Sequence, residues 1–369
     1  MPERALARVR PGAVERNCAR LRRSLAGGAE LCAVVKADGY GHGAERCARA
    51  AQAGGASWLA VATAAEAAEL RQAGIGARLL VMGALTPAEV PVALDAGAEV
   101  VAWSADFVRS VAEHRGRRPA QVHVKLDTGM GRLGTDDPRE ARGVARKIDA
   151  AKRLRLAGLM THFATADERG DEHFPAQLER FTAFVSDMRA EYAGLVVHAA
   201  NSAATLRDPG SHFDMVRCGV AVYGLDPFGR DAAQQDLEPA LTLESYVAAV
   251  KRFKPGQSAG YGRRWTAREP TWVGVLPIGY GDGWRRGLTN NCDVLVGGRR
   301  RPLVGTVSMD NVTVDLGPDT DVAVGDQAVL IGTQAGERIT AEEVAERLGT
   351  INYEVTCGLT RRVPRVDSP

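Results

Sequence analysis

The sequence predicts an α/β chain: a (β/α)8 TIM-type barrel followed by a mostly antiparallel β domain. Two observations carry this. From residue 11 to about 225, helix-like segments alternate with eight strand-like runs, close to the size and count of a closed barrel. After about residue 235 the helical periodicity fades, and short strand-like runs separated by Gly and Pro take over. An open doubly wound sheet is the rival for the first part. The lack of a GxGxxG after the first strand-like run weakens it. The expected boundaries are 11–233 for the barrel and 234–369 for the β domain, with residues 1–10 as a candidate addition to the latter.

Pro11 opens a helix whose apolar residues Val14, Cys18, Leu21 and Leu25 share one face. The apolar run Leu31–Val35 then ends on Lys36, followed by a glycine-rich turn and an Ala/Arg helix from about Ala44. Trp58–Val61 is a strand, and an alanine-rich helix runs through Leu70. Arg78–Met82 is a strand, and Thr86-Pro87 reads as the cap and first turn of the next helix. Glu99–Trp103 is a strand with Ser104 capping the helix after it. Gln121–Leu126, Leu156–Thr161 and Val196–Ala200 follow as strands, with helices near Pro138 and from Phe174 to Tyr192, and Met215-Val216 lies in the last strand. In the second part, Thr242–Val250, Thr271–Leu276, Cys292–Val296, Pro302–Val307, Asn311–Asp315 and Ala328–Ile331 read as strands. Thr340 and Glu343 form a capping-box pair before a helix from Ala341 to Leu348.

Bulk properties narrow the function classes. Apolar content of 45% and charged content of 25% are those of an ordinary globular protein. A net charge of +2 argues for neither nucleic acid nor a membrane surface as partner. Six cysteines form no CxxC pair and no metal-ligand spacing, so they read as free thiols in a reducing compartment, with no metal site. MPERALARVR lacks the apolar core of a signal peptide, and no run is long enough to span a membrane. A cytoplasmic protein is the expectation.

Barrel enzymes place their chemistry at the C-terminal ends of the strands. Here those ends carry Lys36, Lys125 with Asp127 to Arg132, Thr161-His162, Asn201-Ser202 and Arg217 to Gly219. Each has a plain alternative: a core histidine, a helix cap, a structural ion pair. Their recurrence at one level is the signal. Lys36 is the most telling, because a lysine where a buried strand meets a loop is partly desolvated. Burial favours the neutral amine, which attacks carbonyls, so the functional reading is a Schiff-base lysine. The alternative is a surface lysine ending a strand.

The stretch VVKADGYGHG resembles the pyridoxal-phosphate motif of the alanine racemase family. The resemblance extends through VKLDTGMGRLG, LMTHFATAD, HAANSAA, VRCGVAVYG, AGYGRRW, IGYGDGW, VGTVSMDN and NYEVTCGL. It implies pyridoxal 5'-phosphate as cofactor, alanine as substrate, and a homodimer whose active site is shared between subunits. It implies that Lys36 carries the cofactor and serves as one base, and that Tyr261, from a partner's β domain, serves as the other. A phenol needs a cationic network to act as a base near neutral pH. His162 would be its neighbour and, with Asn201, part of the cofactor-binding set. The resemblance assigns the phosphate to Tyr40, Ser202, Gly219 and Tyr353, and the pyridine nitrogen to Arg217. An always-charged guanidinium there should leave that nitrogen unprotonated and limit side reactions. Arg132 and Met309 would bind the substrate carboxylate. Lys125 is the family's carbamate position, orienting Arg132. Tyr280 would line the entrance across the dimer interface, and Asp310 would support the site. IGYGDGW stands where the family has IGYADGW, and Ser308 where many members have cysteine. The implied role is D-alanine supply for peptidoglycan. The alternatives are a broad-specificity or serine-tolerant racemase, a pyridoxal-phosphate decarboxylase of basic amino acids, and a cofactor carrier without activity.

Overall fold

The computed structural model describes residues 4–116 and 118–368; residues 1–3, part of the N-terminal stretch discussed above, lie outside these. The chain folds into two compact units. Val14–Phe228 and Gln235–Glu238 form the first; the described residues up to Ala13, with Gly229–Gln234 and the chain from Pro239 onward, form the second. Gln235–Glu238 joins the first unit for a local reason. Asn17, on the helix Pro11–Arg23, donates its side-chain amide to the Glu238 carbonyl at 2.9 Å and accepts the Glu238 N–H at 2.8 Å, while Arg16 pairs with the Glu238 carboxylate.

Strand β1 (Ala5–Val9) belongs to the second unit. The first unit is a closed parallel barrel of eight strands: β2 (Glu30–Val34), β3 (Trp58–Val61), β4 (Arg78–Val81), β5 (Ala98–Ala102), β6 (Ala120–Lys125), β7 (Leu154–Met160), β8 (Val196–His198) and β9 (Met215–Cys218). Closure is made by β2 against β9, with Cys32 opposite Arg217. Helices cover these strands outside and side chains fill the interior, so β3 and β5 are buried at every position. That accounts for their continuous apolar runs. The eight alternating segments expected from the sequence are therefore present, in a barrel. Thr86-Pro87 stands just before the helix Glu89–Asp95 and serves as its cap and first turn: the Thr86 carbonyl accepts the Val90 N–H at 3.2 Å, and the Glu89 carboxylate accepts the Thr86 N–H and hydroxyl at 2.8 Å.

The second unit is mostly antiparallel. A seven-stranded sheet places β1 between Leu241–Tyr246 and Arg365–Asp367; a three-stranded sheet joins Ala249–Phe253, Thr271–Leu276 and Val312–Gly317. Leu241–Tyr246 and Val312–Gly317 alternate buried and half-buried positions, the pattern of a sheet with one face on a core. The run read as one strand over Thr242–Val250 is two, broken at Val247-Ala248, and each half pairs in a different sheet. Pro302 closes the strand Arg299–Pro302, and of the run expected to follow it only Leu303 makes a bridge, to Val314. All six cysteines are free thiols, and no group of His, Cys, Asp or Glu among the described residues is arranged to hold a metal.

Candidate active site

At the C-terminal end of β2 the backbone does something unusual. Ala37, Asp38, Gly39 and Tyr40 all have positive φ (52°, 52°, 61° and 52°), a left-handed turn directly after Lys36. Each non-glycine residue in that region costs about 1–2 kcal/mol. Three of the eight such residues among those described fall here, so strain is concentrated beside the lysine. The turn is held by side chains. Glu66 accepts the Ala37 N–H at 2.7 Å, and the Asp38 carboxylate accepts the Ala44 N–H at 2.9 Å, at the start of helix Ala44–Ala53. Glu66 also accepts the Ala62 and Thr63 N–H groups as part of the capping box of helix Ala64–Gln72.

The turn delivers Tyr40 to the loop after β9. Its ring stacks on Tyr223, 5.0 Å between centroids, and Tyr223 stacks in turn on His42 and donates to the Val34 carbonyl. A Cβ at Gly219 would sit 2.3 Å from the Tyr40 hydroxyl, so only glycine leaves room there. Ser202, at the start of helix Ser202–Arg207, accepts the Gly219 N–H at 2.9 Å and the Ala221 N–H at 3.3 Å. Tyr40, Ser202 and Gly219 thus converge on one small polar cradle. Asn201 uses its side-chain oxygen to cap the same helix, accepting the Ala204 N–H at 3.0 Å.

Arg217 lies buried on β9. It donates to His198 Nδ1 at 2.9 Å, to the Thr161 and Ala199 carbonyls, and to His162 Nδ1 at 3.1 Å. Arginine only donates, so the neutral His162 ring accepts at Nδ1 and carries its proton on Nε2. Burial, then the neighbouring Arg217, Arg132, Lys125 and Lys36 charges, hold this imidazole well below its usual range. The same field acts on Lys125, buried at the end of β6. Burial and the Arg217, Arg132 and Lys36 charges outweigh Asp127 and bring its amine down to about 8. Asp127 accepts the Gly129, Met130 and Arg132 N–H groups, which shapes the loop that presents Arg132. Gln177, buried on helix His173–Glu191, ties this loop to the next: it donates to Thr128 Oγ1 and the His162 carbonyl and accepts the Ala164 N–H. The result is four cations, Lys36, Lys125, Arg132 and Arg217, acting on one half-buried histidine, a field made for anionic ligands.

The β unit presents a second set. Tyr261 is 74% exposed, its loop pinned by Thr306, whose hydroxyl donates to the Tyr261 carbonyl at 2.6 Å. Gly260, at φ 71°, lies where a Cβ would meet the Thr306 N at 2.9 Å. Tyr280 and Met309 are brought together by two backbone hydrogen bonds, Tyr280 N–H to the Ser308 carbonyl and Gly281 N–H to the Met309 carbonyl. Asp310 pairs with Arg362 at 2.6 Å, which holds its carboxyl low. Asp282, wholly buried, pairs with Arg4 at 2.8 Å and Arg362 at 3.3 Å, bracing the same loops. Tyr353 lies on the short helix Asn352–Cys357. Tyr261, Tyr280 and Met309 are among the few large apolar residues left exposed.

Two domain families match in this order: the alanine racemase N-terminal domain over residues 9–227 and the alanine racemase C-terminal domain over residues 240–367. The chain belongs to the alanine racemase family. It is 44% identical to the alanine racemase of Symbiobacterium thermophilum, over 91% of this chain and 89% of that protein. It is 40% identical to alanine racemase 1 of Bacillus subtilis, over 96% and 90%. Among solved structures, alanine racemase from a D-cycloserine-producing Streptomyces lavendulae superposes with a TM-score of 0.94 at 38% identity, covering 100% of this chain and 98% of that one. The Bacillus anthracis alanine racemase, solved with bound L-Ala-P, gives 0.92 at 36%, covering 100% and 96%. The fold and reaction class expected from the sequence are those of this family: an isomerase of a pyridoxal-phosphate-dependent family that interconverts L- and D-alanine.

Within this alanine racemase framework, several supporting residues went unseen in the sequence. Glu66 left only the Thr63/Glu66 capping spacing, which gives no sign of its hold on the lysine turn. Gln177 sits at a buried helix position and left no motif of its own, and Tyr223, inside VRCGVAVYG, was given no role there.

Proposed function

We propose that the chain racemises alanine by a two-base mechanism, with pyridoxal 5'-phosphate held by the barrel unit and Tyr261 supplied by a partner subunit in a homodimer. The observation that carries this is the cation cluster beside the Tyr40, Ser202 and Gly219 cradle. It offers charge for a phosphate and a carboxylate at once, and the residues present therefore fit the cofactor. Lys36 would hold it covalently; Tyr40, Ser202, Gly219 and Tyr353 would hold its phosphate, with His162 and Asn201 in the surrounding set. When bound, the cofactor acidifies the amino acid's Cα–H by delocalising the charge left behind.

The protein's own residues do the rest. Arg132, with Met309, orients the substrate carboxylate, a natural guanidinium task. Lys36 and Tyr261 hold or take a proton on opposite faces of Cα, one removing and the other returning. His162, neutral and carrying its proton on Nε2, is a suitable donor to a phenolate, which is what a tyrosine base needs. Tyr280 lines the entrance, and Asp310 steadies the Met309 loop through Arg362. Arg217 would face the ring nitrogen, with a guanidinium that stays charged near neutral pH. We read D-alanine supply for peptidoglycan as the role and the cytoplasm as the place. Among the described residues no helix is long and apolar enough to cross a membrane.

The test is D-alanine formation from L-alanine by the cofactor-loaded protein beside Lys36→Ala. An approach to an equal mixture, lost in the variant, is expected; no conversion by loaded wild type would overturn the substrate. Tyr261→Phe should cost about 10²–10⁴-fold in kcat. Mixing Lys36→Ala with Tyr261→Phe should restore activity through heterodimers. No recovery after verified subunit exchange would refute the shared site.

A further inference from the structure

A buried polar chain begins at Arg217 and ends at the opposite mouth of the barrel. Arg217 donates to His198 Nδ1 at 2.9 Å, His198 Nε2 lies 2.9 Å from His123 Nδ1, and His123 Nε2 lies 2.9 Å from Glu99 Oε2. Glu99 Oε1 accepts from Arg78 Nη2 at 2.7 Å and Nε at 3.0 Å. The chain passes from β9 to β8, β6, β5 and β4. Both histidines are wholly buried and Glu99 is nearly so, while Arg78 opens β4 with half of its side chain in solvent. On β7, between the strands of the two histidines, Gly158 makes the meeting possible: a Cβ there would lie 2.4 Å from His123 Nδ1.

The donors and acceptors allow one arrangement. Arg217 only donates, so His198 Nδ1 accepts, and the His198 proton sits on Nε2. His123 Nδ1 must then accept, and the His123 proton sits on Nε2, donated to Glu99. Both imidazoles are neutral and point their protons the same way, toward the carboxylate. Burial, then the Arg217 charge, hold His198 well below the usual imidazole range. Burial pushes the Glu99 carboxyl up, but His123 and Arg78 outweigh it, so it stays ionised. Among the described residues no carboxylate pairs directly with Arg217; its hydrogen bonds run to carbonyls and imidazoles. The negative charge at the end of its hydrogen-bonded chain is Glu99.

We propose that Glu99 is the counter-ion of Arg217, coupled to it through His123 and His198, and that this relay sets how strongly the Arg217 guanidinium donates to the group lying against it. The inference rests on the reading of Arg217 as the partner of the cofactor's ring nitrogen. An ionised Glu99 draws the His123 and His198 protons toward itself, makes His198 Nδ1 a better acceptor, and so engages the guanidinium from behind. Without that charge the guanidinium donates more strongly forward, which stabilises negative charge on the ring and prolongs the interval in which side reactions occur. Glu99, His123 and His198 are positioning residues in this scheme.

The test begins with cofactor-free protein labelled with ¹⁵N-histidine, where seven histidines are assigned by single substitutions. His123 and His198 should both appear neutral with the proton on Nε2. Glu99→Gln keeps the shape and removes the charge, and should move the His198 ring nitrogens although residue 99 does not touch them. Arg78→Gln, at the solvent edge, leaves Glu99 without its other partner and should move the same resonances the opposite way. In the loaded enzyme, Glu99→Gln should raise conversion of alanine and cofactor to pyruvate and the cofactor's amine form several-fold per racemisation, with KM for alanine within twofold of wild type. Unmoved His198 resonances, or shifts of the same sign in both variants, would reduce Glu99 to a structural acceptor. The NMR arm needs no cofactor, so a protein that failed to racemise alanine would sink the functional reading while leaving the relay decided.

Discussion

Lys125 should react with carbon dioxide at a pH where ordinary lysines do not. The step is R–NH2 + CO2 → R–NH–COO⁻ + H⁺, and it requires the neutral amine. Burial and the charges on Arg217, Arg132 and Lys36 lower this amine from 10.5 to about 8. At pH 8 about half of it is neutral, against roughly 0.3% for a lysine at its ordinary value, an advantage of about 150-fold. The product reverses the local charge among three other cations, so the field that exposes the amine also favours the carbamate. Labelled bicarbonate added to the cofactor-free protein should give a ¹³C carbamate resonance that is absent in Lys125→Gln. At fixed dissolved CO2, the rate of its formation should rise with pH through a midpoint near 8. In the loaded enzyme, Lys125→Gln should raise KM for alanine more than it lowers kcat, because the loss acts through Arg132. No resonance, or a midpoint close to that of a free lysine, would refute the reasoning.

Two further substitutions test the supporting geometry. Gly219→Ala places a methyl 2.3 Å from the Tyr40 hydroxyl, which must retreat by about 1 Å against its stack on Tyr223; overpacking of this kind costs ~1–3 kcal/mol, so the cofactor Kd, read by titrating cofactor-free protein, should rise about 5–150-fold. An unchanged Kd would remove Gly219 from the phosphate cradle. Gln177→Leu leaves the Ala164 N–H without its acceptor and the His162 carbonyl without its donor; it should lower unfolding stability by about 2–4 kcal/mol in urea and raise KM for alanine by loosening the Arg132 loop. Stability within ~0.5 kcal/mol of wild type would show that the clasp holds nothing.

The sequence was most legible where one physical rule governed many residues. Continuous apolar runs ending on polar residues are what a parallel barrel requires, since its strands are buried on both faces and its chemistry sits at their ends. That rule put Lys36, Lys125, His162, Ser202 and Arg217 at or just beyond strand ends, which is where the fold has them. It was least legible where the outcome depended on which distant strand a segment meets. Thr242–Val250 reads as one run because nothing in Val247-Ala248 signals that Leu241–Tyr246 and Ala249–Phe253 belong to different sheets.

The sequence by itself put forward candidates for the chemistry: the lysine at a strand end and the guanidinium at the last strand by their position, and the tyrosine between glycines by its family resemblance. Residue type and periodicity are local properties, and they set element type, order and the level of the barrel at which reactive groups emerge. Only the tertiary structure decided how those groups are charged and held. Burial and the Arg217, Arg132 and Lys36 charges, from three different loops and strands, set the amine of Lys125. Glu66, almost thirty residues on, holds the left-handed turn after Lys36. Glu99 and Arg217 stand at the ends of one hydrogen-bonded chain although they are far apart in sequence. Desolvation and through-space charge depend on what the closed barrel brings within a few ångströms, and no spacing along the chain encodes that.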